Sequence, residues 1–260
     1  MAGNRRCLIQ YKTNMWHGKT VSVVFSTYRE KNSIRKAIDD YFATGFVDEV
    51  LVVNNNAEPG TDEEVKKTKA SLVYQPKQGY GNGYQMGILE AKGDLIMLSE
   101  PDGTYSARDL EKFLVYERDF PVVLGTRTNQ SAILEGASMG LLRKLANVFD
   151  AKVIEVLFGT NSLTEIGCTC KLFRREELMK LAPLWKTTNA LFATELLLLT
   201  VTERIHFIEI PISFSERVGE SSLTAKWHQL AKWGIKIFWF ILSFWFAWIF
   251  GKRGKRSAKK

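Results

Sequence analysis

Short apolar runs of strand length, separated by polar turns, recur through the first half of the chain. They lie at residues 21–25, 50–53, 72–74, 95–98 and 122–124 and are rich in Val, Ile and Leu, as buried strands are. Between the first two, Ile34, Ala37, Ile38 and Tyr41 share one face of a helix. Thr61-Asp62-Glu63-Glu64 has the spacing of a capping box and predicts a short polar helix. Further helices are expected from the glycine cluster at 79–83 to Ala91 and over 107–119. Strand and helix alternating this regularly predict an α/β fold, with a mostly parallel sheet covered by helices on both faces.

The second half changes character. A long helix is expected over 134–158, where Leu142, Leu145, Phe149, Val153 and Val156 recur at helical spacing and read as a core-facing stripe. A strand at 167–173, helices at 176–181 and 192–202, and a strand at 205–212 follow. Residues 237–250 are apolar on every face apart from Ser243 and include Trp239, Trp245 and Trp248. A helix of that length is about 21 Å long, short of the roughly 30 Å hydrocarbon core of a bilayer. The tail beyond it holds Lys252, Arg253, Lys255, Arg256, Lys259 and Lys260 with no acid among them. Basic tails stay on the cytoplasmic side, so the segment reads as a membrane-associating helix that lies in the interface or re-enters on one side. A core helix, or a contact with a membrane-protein partner, is the competing reading. The chain thus divides into a polar arm (1–20), a main domain (21–226), and a membrane-associating helix with its basic tail (227–260).

Composition narrows the partners. At 260 residues, 25% charged and 45% hydrophobic, the chain is globular rather than disordered. A net charge of +8 suits phosphorylated ligands, acidic lipid or nucleic acid. Much of the excess sits in the tail instead of along a groove, which argues for no nucleic acid. Cys7, Cys168 and Cys170 form neither a disulfide framework nor a zinc knuckle. The N-terminus carries no signal-peptide core, and a reducing, cytosolic location is expected. His17, His206 and His228 have no triad or metal spacing.

Three strand ends carry the chemistry: Thr27-Tyr28-Arg29-Glu30, Asn54-Asn55-Asn56, and Glu100-Pro101-Asp102-Gly103. In open α/β sheets ligands bind at the carboxyl ends of the strands, so these clusters can share one crevice. Two carboxylates bracketing a proline can face one hard cation. The same stretch also reads as an ordinary Pro-Asp-Gly turn. The glycines at 79, 81, 83 and 87 miss the dinucleotide fingerprint and predict close backbone approach. Lys171, Arg174 and Arg175 read either as a phosphate-facing patch or as a solvated strand end.

In order along residues 21–226, these motifs resemble a family 2 glycosyltransferase of the GT-A (Rossmann-like) fold, nearest the dolichyl-phosphate mannose synthase-like branch. Val24-Phe25-Ser26-Thr27-Tyr28-Arg29-Glu30 resembles the strand ending in P-T-Y-N-E. Gly79-Tyr80-Gly81-Asn82-Gly83 and Ala91-Lys92-Gly93-Asp94 resemble the segments before D-x-D, and Glu100-Pro101-Asp102 sits at D-x-D itself. Gly125-Thr126-Arg127 resembles G-S-R, the stretch from Gly167 to Leu172 the G-F-R-L-like strand, and Arg217-Val218-Gly219-Glu220-Ser221 the closing R-x-G-x-S. Departures are Ser26 for Pro, Arg29 for Asn, Asn54-Asn55 for paired Asp, Glu100 for the first Asp of D-x-D, and Ser222 for Lys.

The resemblance implies an inverting, metal-dependent transfer of a sugar from a GDP- or UDP-linked donor to a polyprenyl phosphate at the cytoplasmic face of a membrane. Thr27, Tyr28, Glu30, Asn54, Gly79, Gly81 and Asn82 would contact the donor. Glu100 and Asp102 would hold Mg2+ or Mn2+ on its diphosphate. Asp102, Arg127, Glu165, Glu195 and Arg217 would serve catalysis or the acceptor. A saccharide acceptor, or a non-catalytic nucleotide-sugar-binding subunit, are the rival expectations.

Overall fold

The computed structural model describes residues 16–128, 140–218 and 227–257. The expected arm before Trp16, the start of the helix expected at 134, Cys7 and the Gly219-Glu220-Ser221 part of the closing motif lie outside them.

The sheet has seven strands: β1 (Val21–Thr27), β2 (Glu49–Asn54), β3 (Ser71–Tyr74), β4 (Leu95–Ser99), β5 (Val122–Thr126), β6 (Lys171–Arg174) and β7 (Phe207–Pro211), in the order β3-β2-β1-β4-β6-β5-β7. All neighbours run parallel except β6, which is antiparallel to both β4 and β5. The central strands are buried on both faces, which is why they read as unbroken apolar runs instead of alternating ones. On one face pack α1 (Lys31–Ala43) and α4 (Leu110–Glu117), through Ile34, Ile38, Tyr41, Leu110 and Phe113. On the other pack α3 (Tyr80–Glu90), α5 (Leu141–Phe158), α7 (Phe192–Thr202) and α8 (Trp227–Ser257), through residues such as Tyr84, Ile88, Ile154, Leu196 and Ile241.

Four expectations need correction. Helix α2 (Thr61–Lys66) forms, but its N-cap is Gly60 in the left-handed region, and Thr61 Oγ1 donates to the Glu58 carbonyl at 2.8 Å, so there is no capping box. Strand β6 begins only at Lys171, and residues 167–170 run into it outside the ladder. The α5 stripe faces the core only in part: Val153 packs against it, and the Leu142 side chain lies outside the described residues. Leu145, Phe149 and Val156 are 57%, 59% and 82% exposed, while Ala151 and Ile154 carry the buried face. Helix α8 is longer than its apolar centre: Ala231–Gly251, 21 residues, has the composition of a membrane span and is about 31 Å long. Length therefore no longer separates it from a spanning helix.

Candidate active site

The carboxyl ends of β1, β2 and β4 open into one cavity of about 440 Å3. Its walls include Thr27, Tyr28, Glu30, Asn55, Gly79, Tyr80, Glu100, Thr169 and Arg217, together with Trp233 and Ile237 of α8. Parallel pairing sets this up: Thr27 is the register partner of Asn54, and Phe25 that of Ser99, so all three chain ends leave the sheet at one edge.

Glu30 is fixed by its own loop. Its Oε2 accepts the N–H groups of Tyr28 at 2.6 Å and Arg29 at 2.8 Å and the Thr27 hydroxyl at 3.1 Å. The two asparagines part company. The Asn54 amide donates to Asp62 Oδ1 at 2.6 Å and its carbonyl accepts from Ala57 N, which turns it away from the cavity. Asn55 is buried, donates to the Gln75 and Lys77 carbonyls at 3.0 and 2.8 Å, and accepts Gly79 N–H at 2.7 Å. The wall position expected of Asn54 is thus filled by its neighbour.

The glycines serve packing. A Cβ on Gly81 would lie 2.7 Å from the Thr187 carbonyl oxygen, and one on Gly83 would run into Ser26. Gly79 lines the cavity, whereas Gly81 is buried against 187–188. Asn82 N–H donates to the Thr188 carbonyl at 3.2 Å. The same 186–188 loop accounts for Glu195, which is 1% exposed and accepts Lys186 N–H, Thr187 N–H and the Thr187 hydroxyl at 2.6–3.0 Å. Both its oxygens are committed to holding that loop, so the structure gives Glu195 a positioning place rather than a catalytic one.

After β4 the chain makes the Pro-Asp-Gly turn, with Gly103 at φ +83°. The turn and the acid site coincide: Asp102 Oδ1 accepts Thr104 N–H at 2.9 Å, which aims the carboxylate inward at 1% exposure. Residues 214–218 pair with this turn through Ser215 N–H to Thr104 O and Val218 N–H to Asp102 O. That lays Arg217 across both acids, with Nη2 2.5 Å from Asp102 Oδ2 and 3.1 Å from Glu100 Oε2. Burial, and then the neighbouring Asp102 charge, push the Glu100 carboxyl up to about 7. Glu100 Oε1 also accepts the Thr169 hydroxyl at 2.5 Å, and Thr169 Oγ1 lies 2.6 Å from Tyr80 OH.

No group of three or more His, Cys, Asp or Glu side chains among the described residues is placed to hold a metal ion. The pair Glu100 and Asp102 nevertheless fits a hard divalent cation. Asp102 Oδ2 is buried against the Arg217 guanidinium, 2.5 Å from Nη2. Two carboxylates sharing one guanidinium also leave net negative charge, and such ions take carboxylate oxygens together with substrate phosphates.

Arg127 and Glu165 form a buried pair beside this site. Glu165 Oε2 accepts Arg127 N–H at 2.6 Å and Oε1 accepts its guanidinium Nε at 2.9 Å. The guanidinium also lies over Phe214, 5.3 Å from the ring centroid. Lys171 is buried and donates to the Cys168 carbonyl. Arg174 pairs with Glu117, and because Leu95 is its register partner it stands at the opposite end of the sheet from the site.

Sequence reading places Asn55 in a crevice cluster without giving it a role of its own, and does not single out Tyr80, Thr169, Trp233 and Ile237 as walls. For Thr169 the only signal is a polar residue between two buried cysteines. For Trp233 and Ile237 there is none, since their approach is a matter of how α8 docks.

A family model described as glycosyl transferase family 2 matches residues 22–181, more than half of the chain. The chain belongs to that family. Among relatives of this family 2 glycosyltransferase is a dolichyl-phosphate hexose transferase of Haloferax volcanii, 28% identical over 206 residues, which cover 78% of this chain and 86% of the relative. A dolichyl-phosphate beta-glucosyltransferase of Saccharomyces cerevisiae is 23% identical over 234 residues, covering 79% and 70%. Among solved structures, glucosyl-3-phosphoglycerate synthase of Mycobacterium tuberculosis superposes with a TM-score of 0.68 at 16% identity, over 88% of this chain and 80% of that one. That structure holds Mn2+, UDP and glucosyl-3-phosphoglycerate. At this identity the likeness establishes the GT-A fold of the glycosyltransferase.

Proposed function

We propose that this glycosyltransferase moves a hexose from a nucleoside-diphosphate sugar to a polyprenyl phosphate at the cytoplasmic face of a membrane. One observation carries the reading: a single cavity is lined both by Glu30, Asn55, Glu100 and Arg217 and by Trp233 and Ile237 of the apolar helix α8. A polar sugar nucleotide and the head of a lipid need such a mixed lining. The names of the Haloferax and yeast relatives support the acceptor class.

In this mechanism Tyr28, Glu30 and Asn55 hold the nucleoside end of the donor. Glu100 and Asp102 would hold Mg2+ or Mn2+, which supplies positive charge to the departing diphosphate. Arg217, already poised at both acids, offers its guanidinium fork to phosphate oxygens. An acceptor phosphate is ionised at neutral pH, so its oxygen attacks the anomeric carbon without a general base. The bond from that carbon to the diphosphate oxygen breaks on the opposite side, its electron pair leaves with the diphosphate, and the configuration inverts. Thr169 and Tyr80 keep the Glu100 carboxylate in place during this exchange.

The test incubates the purified protein with Mg2+ or Mn2+, labelled nucleotide sugars and a polyprenyl phosphate. A lipid-linked sugar is expected, and Asp102→Asn is expected to lower its rate by about a hundredfold or more. No lipid-linked product from any common donor overturns the proposal. Label found on an added saccharide instead identifies a saccharide acceptor.

A further inference from the structure

Helices α5 and α8 lie side by side and run in the same direction. Phe149 meets Phe238 with ring centroids 6.1 Å apart, Trp245 Nε1 donates to the Leu157 carbonyl at 2.7 Å, and Phe158 meets Trp248 at 5.5 Å. Partners therefore advance together along both helices. At its other end α8 reaches the active-site cavity through Trp233 and Ile237. From Trp233 to Trp248 the helix is held against the catalytic body, a length of about 22 Å at 1.5 Å per residue.

That packing decides how α8 can meet a bilayer. Its composition satisfies the requirement for a span over Ala231–Gly251. The segment that would have to cross is, however, the same stretch that packs against α5 and the cavity from Trp233 to Trp248. While α5 keeps its contacts, that stretch cannot enter the bilayer without taking α5 with it.

The outer faces of the two helices are apolar and continuous. On α8, Ile235, Trp239, Phe246 and Phe250 form one exposed stripe, interrupted by Ser243. On α5, Leu145, Phe149 and Val156 form another, interrupted by Lys152, which shares their face and pairs with Glu155. Phe238 joins them, since it touches Phe149 on one side and Trp239 on the other, with centroids 6.2 Å apart. An exposed patch of this extent marks a docking surface. Exposed Lys232 and Lys236 flank it, and Lys252, Arg253, Lys255 and Arg256 follow in the sequence. Apolar side chains with tryptophan, rimmed by cations, match the boundary of an anionic leaflet.

We propose that α5 and α8 together form a monotopic platform bedded in one leaflet of an anionic membrane. Helix α5, an integral part of the catalytic domain, enters the lipid boundary alongside α8, and the Trp233 side of the cavity opens at headgroup level. The proposal rests on the membrane location given above and extends it from the C-terminal helix to the body of the enzyme.

Flotation of the purified full chain with phosphatidylcholine–phosphatidylglycerol vesicles tests it without any sugar donor. The substitutions Leu145→Glu, Phe149→Glu and Val156→Glu fall on exposed positions, and the thermal midpoints of the Leu145 and Val156 variants are expected to match the wild type. Each is expected to weaken vesicle binding about tenfold, and the triple variant to stay unbound. Trypsin added outside proteoliposomes is expected to cleave the basic tail in every molecule whose catalytic body is outside. A triple variant that floats like the wild type overturns the platform and leaves the membrane reading standing. A tail protected while the body is exposed means that α8 spans, and overturns it as well. A dimer abolished by the triple variant overturns the platform alone, and a wild-type chain that never floats overturns the platform and the membrane location together.

Discussion

Asn54 and Asn55 are the same residue type in adjacent positions, and nothing in their chemistry ranks one above the other. The backbone does. Asn54 closes β2 and spends its amide on Asp62 and Ala57, whereas Asn55 ties the strand end to Gln75, Lys77 and Gly79. Asn55→Ala is expected to cost about 2–4 kcal/mol and to loosen the donor wall, against about 1 kcal/mol for Asn54→Ala; thermal melts of the two variants check the contrast. Glu195 teaches the same lesson, because an acid on a helix is visible in sequence while the loop that consumes both its oxygens is not. Asp150 lies on the buried side of α5, and burial pushes its carboxyl from an ordinary 3.8 to about 6. A carboxyl raised in the fold binds more protons there than in the unfolded chain between those two values, so stability falls as pH climbs from about 4 to about 6 and stays lower above. Asp150→Asn is therefore expected to raise the thermal midpoint at pH 7.5, by up to about 3 kcal/mol of stability, and to leave it nearly unchanged at pH 4. Melting at the two pH values reads the difference.

Helices and strands were legible where periodicity reports burial directly. The runs that became β1, β2 and β4 are apolar at every position because both faces of the sheet are covered. Helix α5 marks the limit, since a stripe at helical spacing identifies a face without identifying what covers it, and here Leu145, Phe149 and Val156 point outward. Strand β6 was expected four residues too early because Gly167 to Cys170 resemble a strand but serve the cavity, with Cys170 offering only its carbonyl to Gly125 N–H at 2.9 Å. The glycines of α3 were legible as close contacts, though their partners proved to be protein. Gly83 stands directly above Ser26, where an added Cβ would lie 2.9 Å from the serine Cβ. Gly83→Ala is expected to destabilise by about 1–3 kcal/mol. Combining it with Ser26→Gly is expected to recover part of the loss, as a denaturant titration of the single and double variants would measure.

Across the whole molecule, the strand-end part of the cavity is built from one continuous stretch, β1 through the Asp102 turn, while the rest arrives from elements distant in sequence. Between β5 and β6 the chain makes a long excursion that includes α5 and returns to where it left. Its two ends are pinned together: Thr126 and Thr128 bond the Thr164 hydroxyl at 2.8 and 2.7 Å, and Arg127 is locked to Glu165. A loop closed at its neck can vary in length and content at little entropic cost to the sheet. Replacing the residues between Thr128 and Thr164 with the matching segment of another family member is expected to leave nucleotide binding, measured by calorimetry, within a few-fold of the parent. Binding to vesicles should follow the donor of the graft. The fastened neck shields the strand ends from what lies further along the excursion, so a change made there has to pass through the Thr126–Thr164 and Arg127–Glu165 contacts before it can move the sheet.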